Sequence, residues 1–348
     1  MKRYKYVPGL PGVTLFSAVC NMENLKRAHK NASRGKKWYP EVKMIEQDLD
    51  KYLGTIMALL LGGEYHTSKY DIFFKRENDK MRKIYRLPYF PDRIVQWAIL
   101  QVIAPILEKH FTNDTYSSIP GRGPLLCAQR VYNSMHFDWE KTRYCLKIDI
   151  HHFYPSIDHD RLKEKYSKLF KDDKLLALIY EIIDSVPENE GVPIGNYLSQ
   201  YSGNLYLSDF DHWIKEEQHV NDYYRYMDDM LFFSDSKEFL HELLSNIEKY
   251  LNEEKLTLKH NWQVFDTFSR SVDYCGYVMF HDHILVRKRI RDRYIDVVER
   301  CLRYGMTEHL RASYCSYRGW LEHCNTHNLF EKHGNVLEAK YAYLKKAV

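Results

Sequence analysis

Two adjacent acids stand between two strand-like runs in the segment YYRYMDDMLFFSDS, residues 223–236. Asp228 and Asp229 follow a run rich in tyrosine and precede Met-Leu-Phe-Phe, and such residues are typical of β-strands. The pattern predicts a hairpin with both acids at its tip. Neighbouring carboxylates repel each other, and a divalent cation is the usual way to offset that repulsion. For an Asp-Asp pair taken alone, a merely solvated turn is the alternative.

A third acid lies upstream in the segment YCLKIDIHHFYPSIDHDRL, residues 144–162. Apolar and polar residues alternate up to Asp149, which predicts a half-buried strand with this acid at its carboxyl end. Phe-Tyr-Pro then ends the strand, and a helix is predicted to begin near His159, with Asp158 as its cap. Three carboxylates from two neighbouring strands can hold two Mg²⁺ ions about 4 Å apart, an arrangement suited to in-line phosphoryl transfer.

The composition indicates a globular protein with several subdomains. The chain has 348 residues, 45% of them hydrophobic, which is ample for two or three subdomains. The net charge is only +4, but aromatic residues reach 15%, with 29 Tyr. Tyr and Arg together suit stacking on bases and contacts with phosphates. An ordinary Tyr-rich core explains the same composition.

The cysteines and the hydropathy pattern exclude several classes of protein. The seven cysteines include no C-x-x-C pair, so neither a zinc site nor a disulfide framework is indicated. Their odd number and wide spacing fit a reducing compartment, and we expect a cytoplasmic protein. No apolar run approaches the length of a membrane span, and the N-terminus MKRYKYVPGL lacks a signal-like core.

Several further elements follow from local patterns. Residues 69–86, KYDIFFKRENDKMRKIYR, predict a basic β-hairpin, and Asp92 is predicted to cap the helix after it. Helices are also predicted over residues 41–61, 161–185 and 199–215. A basic loop at 31–37 either contacts nucleic-acid phosphates or is a solvated connection between helices. The segment LTLKHNWQVF is predicted to be a strand that includes Lys259 and Trp262.

The motif YMDD after a strand, together with the upstream pattern hydrophobic-x-D-x-x-x-F-Y-P-S-I-D, resembles the palm of reverse transcriptases. The resemblance runs from about residue 20 to about residue 335. It implies an α+β right-hand polymerase fold, with a palm of antiparallel sheet plus helices and a small helical thumb. The implied boundaries are an N-terminal extension and fingers at 1–140, a palm at 141–285 and a thumb at 286–348, with 186–217 contributing to the junction of fingers and palm.

The resemblance also implies the chemistry, which is RNA-directed DNA synthesis with two Mg²⁺ ions, for which Mn²⁺ can substitute. Asp149, Asp228 and Asp229 are the implied catalytic carboxylates, and the metal ligands are Asp149 and Asp228 together with Ile150. The primer hydroxyl would attack the α-phosphate of a dNTP, with loss of pyrophosphate. Lys259 lies in the segment near the leaving pyrophosphate, where it is either a proton donor or a surface lysine.

Other residues are implied to hold substrates. The incoming triphosphate would contact Arg82, assisted by Lys80 or Lys75, because guanidinium groups suit phosphate. Tyr154 would exclude a ribose 2′-hydroxyl as a rigid ring, although core packing beside the strand end is the alternative. The template RNA and the primer would contact basic residues of a loop and of a C-terminal helix, namely Arg122, Arg287, Lys288, Arg289 and Arg291.

One departure from the common family pattern indicates a branch. Most reverse transcriptases carry Gln where this chain has Ile194, before Gly195, and Ser-Pro where it has Ser199-Gln200. The variant resembles the enzymes of diversity-generating retroelements, which copy a template RNA with errors at adenines. The usual Gln contacts the nascent pair, so Ile194, Gly195 and Gln200 would form a less discriminating nucleotide site and permit hypermutation. The resemblance further implies an accessory protein oligomer as a partner.

Two alternatives to this branch remain from the sequence. The first is an antiphage-defence reverse transcriptase of the unassigned or abortive-infection groups, which share the palm motifs. The second is a protein that keeps the polymerase fold and binds RNA without catalysis, against which the three intact carboxylates argue.

Overall fold

The computed structural model describes residues 3–77, 80–186 and 191–341, without the side chains of Glu77 and Lys80. The chain forms two compact units, each built from three segments. The first unit contains the residues up to 113 together with 150–217 and 248–259. The second contains 114–149, 218–247 and the residues from 260 onwards.

The helices of the described residues are α1 (Leu15–Val19), α2 (Met22–Ala32), α3 (Pro40–Gln47), α4 (Leu49–Gly62), α5 (Ile94–His110), α6 (Pro124–Phe137), α7 (His159–Leu169), α8 (Asp173–Asp184), α9 (Tyr197–Tyr206), α10 (Ser208–Glu216), α11 (Lys237–Glu253), α12 (Lys288–Tyr304), α13 (Glu308–Leu321), α14 (His327–Leu329) and α15 (Asn335–Lys340). The strands are β1 (Asp71–Glu77), β2 (Lys80–Arg86), β3 (Tyr144–Asp149), β4 (Tyr223–Tyr226), β5 (Asp229–Ser234), β6 (Gln263–Asp266), β7 (Val272–Tyr274), β8 (Tyr277–Met279) and β9 (Ile284–Val286). No helix in these ranges is both long and apolar enough to cross a membrane.

The first unit is mainly helical and carries the basic hairpin. The helix α5 packs against α2 and α9, and its buried face includes Ile94, Ile99 and Ile103. The strands β1 and β2 pair antiparallel with Lys75 opposite Arg82, so the predicted hairpin is confirmed. Helices α7, α8, α9 and α10 complete the unit.

The second unit contains two antiparallel sheets. The larger has the strand order β4-β5-β3-β6, and the smaller has the order β7-β8-β9. Buried residues of α6, such as Cys127 and Val131, pack in one apolar cluster with Leu231 and Phe233 of β5. The same cluster extends to α12 and α13 through residues such as Tyr294 and Tyr314, so the sheets and these helices share one core.

The predicted role of Asp92 as a helix cap is wrong. Residues Tyr89–Arg93 form a π-helical turn, and α5 begins at Ile94 without a side-chain cap. The Asp92 carboxylate is fully buried and accepts hydrogen bonds from the Tyr65 hydroxyl at 2.9 Å and from the backbone N–H of Ser68 at 3.1 Å. The Asp92 carboxylate therefore links the segment that contains Tyr65 and Ser68 to the residues just before α5.

Several predicted element limits also need correction. The helix predicted over 41–61 is interrupted at Asp48, where the backbone leaves helical geometry. The stretch at 161–185 forms two helices, and the helix predicted from Ser199 begins at Tyr197 and breaks at Leu207. The strand predicted to include Lys259 and Trp262 begins only at Gln263. By contrast, Asp158 caps α7 as predicted, accepting the N–H of Arg161 at 2.9 Å.

Candidate active site

The Asp-Asp pair lies at a tight turn between two antiparallel strands, as predicted. Strand β4 ends at Tyr226, β5 begins at Asp229, and these two residues face each other in the register. Met227 has a positive φ of 58°, a backbone conformation that few residues other than glycine adopt. The turn therefore stores strain, and its surroundings must hold it in place.

Two buried side chains hold the backbone of this turn through hydrogen bonds. Arg225 is fully buried, and its guanidinium donates to the Met227 carbonyl oxygen at 3.1 Å and to the Thr115 hydroxyl at 3.4 Å. The Tyr274 hydroxyl accepts the backbone N–H of Tyr226 at 2.9 Å and donates to the Asp229 carbonyl oxygen at 2.6 Å. Sequence analysis missed both residues. An arginine inside the strand-like run YYRY was the available signal, because a charged residue is rarely buried there without partners.

The third carboxylate joins the pair through strand register. Strand β3 runs antiparallel to β5, and its last residue, Asp149, is directly opposite Asp229. Directly opposed residues in an antiparallel pair have Cβ atoms about 5 Å apart. The fold thus brings together the three acids that the sequence singled out, all within the second unit.

Burial disfavours the charged form of Asp229 within this group of acids. It raises the pKa of Asp229 to about 6, with the charges of Asp149 and Asp228 adding to the increase and those of Lys147 and Arg287 opposing it. The Asp229 Oδ1 atom is buried and has no hydrogen-bond partner among the described residues. A buried carboxylate oxygen without a donor, beside two further acids, is the environment that a bound cation stabilises.

The donor chemistry of the site fits Mg²⁺, which takes oxygen ligands and keeps positions for water and substrate phosphates. Ile150, the other predicted ligand, follows Asp149 in the chain and can offer only its carbonyl oxygen. Within the described residues, no three or more His, Cys, Asp or Glu side chains are grouped so that they alone could hold a metal.

A comparison with known protein families establishes the family to which this chain belongs. A sequence profile described as reverse transcriptase (RNA-dependent DNA polymerase) matches residues 74–279, more than half of the chain. The chain belongs to the reverse transcriptase family. Its α+β architecture is the right-hand polymerase fold of that family, as predicted.

Individual proteins are also similar to parts of this chain. Protein YkfC of Escherichia coli K12 is 26% identical over 184 residues, which cover 50% of this chain and 48% of that protein. The group II intron-encoded protein LtrA of Lactococcus lactis subsp. cremoris is 24% identical over 173 residues, 47% of this chain and 28% of LtrA. The chain thus spans half or less of the length of these relatives. The structure of apo telomerase from Candida tropicalis matches in fold, with a TM-score of 0.53 at 11% identity over 79% of this chain and 59% of that one.

The first unit of this reverse transcriptase contains a cavity of about 480 Å³ beside the basic hairpin. Ile194 is among its lining residues, and the wall is mostly apolar, with Lys83 and His152 as basic side chains. The other lining residues are Phe74, Met81, Tyr85, Pro155, Val186, Gly191, Val192 and Pro193. The residue that departs from the common family pattern therefore lies in a cavity large enough for a small ligand.

Gly191 fixes the loop that carries Ile194. Its φ is +86°, and a Cβ added there would lie 2.9 Å from the carbonyl oxygen of Pro155. The Gly191 N–H donates to the Ile157 carbonyl oxygen, and the Val192 N–H donates to the Tyr154 carbonyl oxygen. Only glycine allows this approach, so the loop is clamped to the segment that follows Asp149 in sequence.

The remaining nucleotide-site predictions fall on surfaces of the same unit. Tyr154 lies in a short turn, and a Cβ at Gly203 of α9 would come within 3.6 Å of its ring. Gln200 is exposed on α9, and Gly195 has a φ of +116°. Arg82 is exposed on β2, whereas the side chain of Lys80 lies outside the described residues. Lys259 lies in the same unit, in the irregular segment before β6.

The predicted nucleic-acid residues belong to the second unit. Lys288 and Arg289 are exposed in the first turn of α12, while Arg287 pairs with Asp273 and Arg291 with Asp292. The further predicted contact, Arg122, donates to the Thr115 carbonyl oxygen at 3.0 Å. Because Thr115 also contacts the buried Arg225, Arg122 supports the turn as well.

Proposed function

We propose that this chain is an RNA-directed DNA polymerase whose catalytic centre is formed by Asp149, Asp228 and Asp229. The observation that carries the proposal is the β3–β5 register, which sets Asp149 opposite Asp229 and next to the turn that contains Asp228. Asp149 and Asp228, with the Ile150 carbonyl, would hold Mg²⁺. When bound, the metal supplies activation of the primer hydroxyl and charge stabilisation at the phosphate.

The roles of the protein groups follow from their charge and burial. Asp229, whose pKa is about 6, is ionised at neutral pH and adds the third negative charge that attracts cations to the turn. Arg225 and Tyr274 are positioning residues because they hold the backbone on both sides of Asp228. A rigid support is needed because loss of about 1 Å in alignment costs such a centre orders of magnitude in rate.

Substrate contacts are proposed for residues of both units. In the first, Arg82 and Lys80 would hold the triphosphate, Tyr154, Ile194, Gly195 and Gln200 would surround the nucleotide, and Lys259 would face the leaving group. In the second, Arg122, Arg287, Lys288, Arg289 and Arg291 would contact the template RNA and primer. The corresponding fingers, palm and thumb boundaries are 1–140, 141–285 and 286–348, and we propose that the enzyme acts in the cytoplasm.

Primer extension on a defined RNA template with dNTPs and Mg²⁺ tests the catalytic proposal. Asp228→Asn should reduce the rate at least about 10³-fold, because loss of a charged ligand removes metal affinity and charge stabilisation together. The matched control is Asp235→Asn, an exposed acid after the far end of β5, which should retain wild-type activity. Full activity in Asp228→Asn would refute the assignment.

We also propose the diversity-generating retroelement as the biological setting, with error-prone copying and an accessory protein oligomer. Support comes from Ile194, which presents an apolar side chain to the cavity where most relatives carry a polar amide. The similarity to a group II intron-encoded protein is consistent with a retroelement origin.

Sequencing the extension products distinguishes the retroelement setting from its alternatives. Errors concentrated opposite template adenines support hypermutation. Accurate copying would favour the alternative, an antiviral-defence reverse transcriptase. If wild type forms no product even with its native RNA and accessory protein present, the non-catalytic RNA-binding alternative gains support and the polymerase proposal fails.

A further inference from the structure

A patch of exposed aromatic side chains lies on the second unit, at the end of the large sheet remote from the catalytic turn. We define this aromatic patch as Phe137, Trp139 and Phe268, whose exposed fractions are 78%, 54% and 57%. Trp139 and Phe268 are in edge contact at 5.9 Å. Single exposed rings are ordinary on a protein surface, whereas clusters of them mark interaction surfaces.

The aromatic patch is preformed by its neighbours. Phe268 stacks on His281 at 4.3 Å between ring centroids. His281 is in turn fixed through both ring nitrogens, which lie 2.8 Å from the Met135 carbonyl oxygen and 2.9 Å from the Thr267 hydroxyl. A surface that is already ordered loses little conformational entropy when a partner binds.

Charges of both signs surround the aromatic patch. Lys141 pairs with Asp138 at 2.8 Å, and Arg143 lies 3.8 Å from Asp266. A surface for nucleic acid would carry an excess of cations, because phosphate contacts dominate its affinity. Balanced charges beside large apolar rings instead suit an identical surface related by a two-fold axis, where cations of one copy meet acids of the other.

We propose that the aromatic patch is a two-fold interface between two copies of this chain. The three rings expose on the order of 400 Å² per copy, given that an aromatic residue buries about 150–250 Å² and given their exposed fractions. This is about half of the roughly 800 Å² per partner of a standard interface, so the charged rim has to supply the rest. Asp149 lies at the opposite end of β3, on the order of 15–20 Å from Tyr144 at 3.3 Å per residue, so such a dimer leaves the catalytic turn open.

Sedimentation of purified, nuclease-treated protein over a range of concentrations tests the proposal. Wild type should approach twice the 41.8 kDa of the chain at tens of micromolar. The double variant Trp139→Ser with Phe268→Ser should dissociate at least about tenfold more easily, since aromatic rings at an interface centre contribute much of the affinity. Trp38→Ser, which removes a tryptophan that is 70% exposed elsewhere, should dimerise as wild type does.

A second variant distinguishes loss of the interface from loss of folding. Phe137 is so exposed that Phe137→Asp leaves the core intact, yet it would place a charge in the apolar part of the proposed interface on each copy. Unchanged primer extension in both variants would show that the fold is retained. Monomeric wild type at the highest concentration, or persistent dimers in both variants, would overturn the proposal. So would association that requires added RNA, which would indicate a nucleic-acid surface instead.

Discussion

The Asp-Asp turn and the cavity around Ile194 differ in how the fold shapes them. At the turn, three acids gather in a partly buried place, and the pKa of Asp229 rises to about 6 because burial disfavours its charge. At the cavity, the wall is mainly apolar, and a glycine with positive φ sets the shape of its loop. The first region is prepared electrostatically, and the second is prepared by backbone geometry.

This difference shows where each region tolerates change. The proposed phosphoryl transfer requires charges at fixed positions, and a buried guanidinium and a buried phenol hold the turn. Base-pair selection depends on the fit of a cavity wall, and one apolar side chain can alter that fit without disturbing the fold. If Ile194 lines the nucleotide site as proposed, substitutions there should change copying accuracy independently of catalysis.

The largest effect that tests this contrast is expected from Gly191→Ala. The added Cβ would meet the Pro155 backbone at 2.9 Å, and the φ of +86° disfavours any side chain. We expect a loss of about 3 kcal/mol in the free energy of unfolding, from left-handed strain plus the clash, measured by urea unfolding. Gly35→Ala is the matched control, because Gly35 has a φ of +70° and open space around it. It should lose only about 1 kcal/mol, and equal losses would show that the loop is not clamped.

The second test concerns the charge at the turn, through Asp229→Asn studied without divalent cations. The folded-state pKa of Asp229 is raised from 3.8 to about 6, so the folded protein binds a proton more tightly than the unfolded chain. The stability due to that proton is complete below about pH 4 and is lost as the pH rises to about 6. Relative to the variant, wild type should lose up to about 3 kcal/mol over this range, measured as the difference in unfolding free energy.

A surface carboxylate gives the opposite sign and serves as the control. The hydrogen bond from Lys168 lowers the pKa of Glu164, so its ionised form stabilises the folded state and that contribution is lost on acidification. Glu164→Gln should therefore show a small difference that shrinks as the pH falls. A pH-independent difference between wild type and Asp229→Asn would mean that burial and the neighbouring carboxylates do not raise the pKa of Asp229. Addition of Mg²⁺ should stabilise wild type more than Asp229→Asn.

The sequence predicted the turn better than the cavity, for a physical reason. Asp149 ends an alternating strand pattern, and Asp228 and Asp229 stand between two strand-like runs, so local patterns were enough to place the acids at strand ends. The clamp at Gly191 depends on a contact with Pro155, 36 residues away, which no local pattern encodes. The misassigned Asp92 shows the same limit, since an acid before a helix reads as a cap until its burial and its partner Tyr65 are known.

The smallest expected effect comes from Ile194→Gln, which makes the cavity resemble that of most relatives. An amide at this position could donate to the nascent pair, and one such hydrogen bond contributes about 1 kcal/mol. Misincorporation opposite template adenine should therefore fall about fivefold, measured as the ratio of kcat/KM for wrong and right dNTPs.

The control is Ile194→Val, which keeps the wall apolar and should copy with the error rate of wild type. Catalysis of correct incorporation should change little in either variant, because the carboxylates at the turn are untouched. Loss of correct incorporation in Ile194→Gln would mean that the cavity wall also affects catalysis. The proposed contrast between the two regions would then be wrong.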